Sequence, residues 1–191
     1  MHAFDYLFTL FSFVYALSIA HLLATVGDLI VAARRVVFSW VLAGWMLASL
    51  LAPIAWWIGL WELRAQKAWP MPTVGLFFLL AGLLYLQTRL ICPRIPAEGP
   101  IDMRAYHRAE GWKYLAAYAV LGVLTLAVNT AFGQTAGLGD WLDKSRAVLP
   151  LTLAAVAAAI FKQRAVQACA VIVELAAWAW YFTSLQSTLT G

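Results

Sequence analysis

Charged side chains make up only 12% of this 191-residue chain, about half the share of an ordinary globular domain. Together with 64% apolar residues and a mean hydropathy of +0.81, that scarcity excludes a soluble domain, and it excludes disorder, which needs low hydrophobicity and high net charge. Cysteine is almost absent. The two present, Cys92 and Cys169, stand in no metal or redox spacing, so neither a structural disulfide nor a thiol centre is expected. The chain has no H-x-x-x-H, C-x-x-C or P-loop pattern, which removes metalloprotease, thiol oxidoreductase and nucleotide-driven pump chemistry from consideration. A haem needs axial ligands, and His2, His21 and His107 fall at different depths along the chain. No cofactor and no metal site are expected. The net charge of +4 is that of a polytopic protein with basic cytoplasmic loops, not a nucleic-acid footprint.

What the chain does have is ten Trp and long apolar runs. A hydrocarbon core of about 30 Å needs roughly 20 helical residues per crossing, so a chain of this length with short loops accommodates about six. The sequence therefore predicts an all-α, polytopic integral membrane protein, a six-helix transmembrane bundle forming one domain over residues 1–191. The spans are expected at about residues 4–33, 37–63, 71–91, 112–132, 147–161 and 165–185. No Lys or Arg precedes the first run, so it reads as a retained helix and not as a cleaved signal. Pro53 should kink the second. Residues 93–111, with three Pro and both charge signs, read as a loop ending in a short interfacial helix over 102–110. A Gly-rich stretch after residue 132 breaks the fourth span. The fifth, at 15 uncharged residues including Pro150, is short enough to be re-entrant.

The distribution of basic residues sets the orientation. With six crossings, nine Lys and Arg lie on one side (Arg34, Arg35, Arg89, Arg94, Arg104, Arg108, Lys113, Lys162, Arg164) and four on the other (Arg64, Lys67, Lys144, Arg146). Without the fifth crossing the split becomes seven against six, erasing the positive-inside bias. Six crossings thus place both termini outside and the 93–111 loop in the cytoplasm, with the cell membrane as location, the inner membrane in a bacterial host. Most Trp residues agree: Trp56, Trp57, Trp61, Trp69, Trp141, Trp178 and Trp180 fall near the outer interface, Trp40 and Trp112 near the inner one.

Polar residues inside apolar spans are functional candidates, because a charge at mid-depth costs at least about 2.5–3.5 kcal/mol. Glu174 lies at the middle of the sixth span and His21 near the middle of the first. Each belongs to a stripe: Ser18, His21, Thr25 and Asp28 within an arc of about 80°, and Gln163, Gln167, Glu174 and Tyr181 within about 40°. A third stripe, Tyr114, Tyr118, Thr125 and Asn129, occupies about 60° on the fourth span. His21 and Asp28 are about 10 Å apart along the axis, so Ser18, His21 and Asp28 form no catalytic triad, and an enzyme ranks behind two other classes. The first is a small transport or channel-like protein whose pathway is lined by His21, Glu174, Asp28, Asn129, Gln167 and Tyr181, with His21 and Glu174 as a proton-responsive pair. The second is a non-transporting membrane subunit or sensor. There the same groups hold helices together, while Arg94, Arg104, Arg108 and Lys113 dock anionic lipid or a cytoplasmic protein, each base adding about 1 kcal/mol near an anionic surface. The bilayer itself is the first partner, and a second copy of the chain is a further one that the sequence leaves open.

The orientation is checked by cysteine labelling in a background with Cys92 and Cys169 replaced by Ser. An impermeant reagent added from outside should modify Gly191→Cys and not Glu98→Cys; the reverse pattern overturns the assignment.

Overall fold

The computed structural model describes residues 3–65, 69–132 and 137–184. They form seven α-helices: α1 (Ala3–Val31), α2 (Trp40–Glu62), α3 (Met71–Ile91), α4 (Met103–Phe132), α5 (Leu138–Ser145), α6 (Val148–Ile160) and α7 (Arg164–Ser184). Five of them, α1 to α4 and α7, are long and apolar enough to cross a membrane, as a multi-pass membrane protein requires. The sixth apolar helix, α6, has 13 residues, a length of about 20 Å against a core of about 30 Å. Five helices of crossing length and one short one thus stand where six crossings were expected.

Two helix starts are set by local chemistry. Ser39 accepts the Leu42 amide at 3.4 Å and opens α2. Asp102 Oδ1 accepts the amides of Arg104 and Ala105 at 2.8 and 2.9 Å, which caps α4 nine residues before the expected start at 112. The polar residues 103–111 are therefore not loop. They are the first turns of one 30-residue helix, about 45 Å long, and the separate interfacial helix expected over 102–110 merges with the fourth span. What remains between α3 and α4 is a Pro-rich strap. Its residues Ile101–Asp102 pair in parallel with Val36–Val37, and its carbonyls at Pro96, Ala97 and Gly99 accept from the Arg35 guanidinium at 3.1–3.3 Å. Gly99 turns this strap at φ +90°, a conformation that side chains with a Cβ rarely adopt. The short α5, after the Gly-rich break, was not anticipated.

The helices pack as two groups. α1, α2 and α3 contact one another, α6 packs on both α4 and α7, and α3–α4 and α2–α7 contacts join the groups. Two glycines permit close approach: a Cβ on Gly44 of α2 would overlap Val171 of α7, and one on Gly122 of α4 would overlap Thr152 of α6. At the end of the bundle where α1 begins, rings of Phe8, Trp57 and Trp61 interlock across α1 and α2, and Trp69 packs on Phe77.

Val171 is β-branched and stiff in a helix, so it cannot turn away from an added methyl. Gly44→Ala should therefore destabilise the protein by about 1–3 kcal/mol, and Val171→Ala in the same chain should recover part of that loss. Thermal unfolding in detergent reads both; an additive effect of the two substitutions contradicts the contact.

Candidate functional site

The turn between α6 and α7 leaves the last carbonyls of α6 without helical partners. Gln167, on the first turn of α7, supplies them: its Nε2 donates to Ala158 O at 2.6 Å and Phe161 O at 2.8 Å. Those two bonds fix the orientation of the amide, so Oε1 is left as an acceptor, and it takes the His107 Nε2–H at 3.0 Å. The neutral ring then carries its proton on Nε2. Its Nδ1 accepts from the Tyr114 hydroxyl. A Cβ on the neighbouring Gly111 would press on His107 Nδ1 at 3.2 Å, so glycine there makes room for the ring. One connected set of hydrogen bonds thus ties α4, α6 and α7.

Gln167 and His107 form one wall of a cleft of about 700 Å³. Arg104, Arg108, Lys162 and Arg164 also line it, and no Asp or Glu does. The N-termini of two helices open onto it, α2 at Trp40 and Val41 and α7 at Arg164 and Ala165, and each brings the positive end of its dipole. Arg104 is held in place by its Nε, which donates to Phe38 O at 3.0 Å. Trp112, Leu115, Ala158, Ala159 and Ala168 supply an apolar surface in the same cleft. Such an arrangement suits an anionic group carrying an apolar tail.

Of the four basic residues singled out in sequence, Arg104 and Arg108 face this cleft. Arg94 is exposed on the strap, and Lys113 forms an ion pair with Glu110. Lys162, Arg164 and His107 complete the cleft. Sequence reasoning treated the first two only as orientation charges and the third only as a haem ligand. The signal that could have found them is their position: two bases at the α6–α7 turn and a His one turn beyond Arg104.

Glu174, the midpoint of α7, is fully buried and is not among the residues lining the cleft. Its layer is built by the close approach of α2 and α7 at Gly44 and Val171. Tyr118 of α4 accepts the Trp178 indole N–H at 3.0 Å, meets the Trp45 ring in a T-shaped pair at 5.7 Å between centroids, and lies beside the Glu174 carboxyl. Among the described residues, neither carboxyl oxygen completes a hydrogen bond, and the buried Trp45 Nε1 also lacks an acceptor.

His21 is not brought to Glu174. Its Nε2 accepts from Arg89 at 3.0 Å, in the last turn of α3, while Glu174 sits against Tyr118. α1 packs on α3 and α2, whereas α7 packs on α6 and α2. The midpoint of α1 misled because this 29-residue helix continues past the end of α3, where Cys92 meets Thr25. The rest of its stripe is satisfied within the helix, Ser18 bonding to Val14 O at 2.9 Å and Thr25 to His21 O at 3.0 Å; Asp28 is exposed. Asn129 donates to Ser145 Oγ at 3.4 Å, and Tyr181 packs between Trp178 and Phe182, at 5.8 and 5.3 Å. Next to Arg89, burial pushes the Cys92 thiol up, the opposite of what a reactive thiolate needs. Among the described residues no group of three His, Cys, Asp or Glu could hold a metal ion. Neither a protein-family model, nor a curated protein, nor a solved structure matches the chain.

Gln167→Leu removes both carbonyl bonds and strands His107. Each buried group left unpaired costs about 1–3 kcal/mol, so this substitution should lower thermal stability well beyond Asn129→Leu, whose single bond is long. Equal losses would contradict the joint.

Proposed function

We propose that this chain is a multi-pass protein of the cell membrane, a non-transporting subunit or sensor, whose cleft docks the headgroup of an anionic lipid at the cytoplasmic face. The observation that carries this reading is the cleft itself: four cationic side chains and two helix N-termini with no carboxylate in the lining. A free pocket of that composition attracts anions, and the apolar wall beside Trp112 offers an acyl chain a surface continuous with the bilayer. The positive-inside count supports a cytoplasmic position for this end of the bundle, on the side of the anionic leaflet. In this reading α6 completes six crossings by letting the bilayer thin around it, and both termini lie outside. Gln167 and its hydrogen-bond partners then hold helices together.

Transport is the second reading, favoured by one observation, the Glu174 carboxyl with both oxygens unsatisfied. Its burial away from the cleft and the absence of a His21 partner weigh against a pathway through that point.

Anionic lipid should raise the melting temperature of the detergent-solubilised protein while zwitterionic phosphatidylcholine does not. Replacing Arg104, Arg108, Lys162 and Arg164 by Gln should weaken binding of phosphatidylglycerol by on the order of 1 kcal/mol per charge removed. Replacing Arg94 and Lys113, outside the cleft, should do less. Equal binding by the quadruple variant and the wild type contradicts the proposal.

A further inference from the structure

Glu174 poses a question that lipid docking does not answer. A carboxylate there has no counter-charge within reach. α2 carries no ionisable side chain from Trp40 to Trp61, and α6 carries none at all. On α7 the only other ionisable groups are Arg164, which lines the cleft, Cys169, which is exposed, and Tyr181, packed against Trp178 and Phe182. From α4, Tyr118 faces it, and that helix has no ionisable residue beyond Tyr118. Charge therefore cannot be matched in place, whereas a neutral carboxylic acid needs no partner ion.

A route for its proton is visible on the same side of α4. Tyr118 lies beside Glu174. Tyr114 is one helical turn earlier on the same face and is fully buried. The Tyr114 hydroxyl meets His107 Nδ1, and His107 lines the open cleft. A buried acid, two buried phenols and an imidazole at an aqueous mouth thus follow one another along the α4–α7 seam.

We propose that Glu174 is a proton-binding site that exchanges with water in the cleft through Tyr118, Tyr114 and His107. On release, the Glu174 proton passes to Tyr118 Oη while Tyr118 gives its own to Tyr114 Oη, directly or across one water. Tyr114 passes its proton to His107 Nδ1, and His107 releases the Nε2 proton to the cleft. One proton leaves, the carboxylate is the only new charge, and His107 ends as the other neutral tautomer. Rebinding runs the same steps backwards. The Gln167 amide, which accepts from Nε2 at 3.0 Å, positions the ring in the resting tautomer; on release a cleft water takes the Nε2 proton and then donates back to that nitrogen in place of the amide bond.

Infrared spectroscopy of the full chain in liposomes tests this without any assay of activity. The wild type should show a carboxylic acid C=O stretch that Glu174→Gln removes. On transfer to heavy water that band should shift promptly, and in Tyr114→Phe and Tyr118→Phe the shift should slow at least tenfold, while Tyr85→Phe on the exposed face of α3 leaves it unchanged. Two path variants are used so that one suffices if the other is unstable, and amide exchange in the same spectra shows which are folded. The proposal is overturned if Glu174→Gln removes no acid band, or if the folded path variants exchange at the wild-type rate.

Discussion

The Gln167 amide is the joint on which the rest of this structure depends. The last carbonyls of a helix have no partner within it, and α6 ends after only 13 residues. One side chain closes that end, by donating to the carbonyls of Ala158 and Phe161, and its remaining oxygen orients His107. The short α6 can stop where it does because α7 supplies the cap. The first turns of α4 can lean over that cap because His107 binds it. The cleft between them is the space this three-helix joint leaves open.

Charge and burial then separate into two zones. Four cations and two positive helix ends gather around the cleft, where water screens their mutual repulsion and an anion would relieve it further. Glu174, the one fully buried acid among the described residues, sits two turns along α7 from Gln167, in a layer of aromatic rings. Placing a carboxyl among Trp45, Tyr118 and Trp178 stabilises nothing by itself, since neither oxygen gains a hydrogen bond and desolvation is unfavourable. A group kept under those conditions is a candidate for work on protons rather than for holding helices together, and the α4 phenols give it a connection to the basic end.

Sequence was most informative where the physics is one-dimensional. Runs of about 20 apolar residues gave the long helices, because a bilayer asks for length and hydropathy before anything else. The prolines of 93–111 marked the end of α3, because proline cannot donate to a helix. The start of α4 was misjudged because residues 103–111 are polar and follow three prolines, so composition pointed to loop; the decisive feature was the Asp102 side chain reaching two amides. The partner of His21 was misjudged, because a helix longer than the membrane has no fixed midpoint, and the group that meets His21 is Arg89 at the end of α3. The cleft was half legible. Arg104 and Arg108 stood in a basic segment, but Lys162 and Arg164 come from a turn about 60 residues later, and only the packing of α6 between α4 and α7 unites them.

The central claim is that the basic cleft, and not a pathway centred on Glu174, is where this protein meets its ligand. The most direct measurement is an experimental structure of the protein in nanodiscs containing phosphatidylglycerol. The account predicts phosphate density in the cleft within hydrogen-bond distance of Arg104, Arg108, Lys162 or Arg164, with Glu174 dry beside Tyr118. A cleft without such density, together with a continuous water column reaching Glu174 from either face, would contradict it.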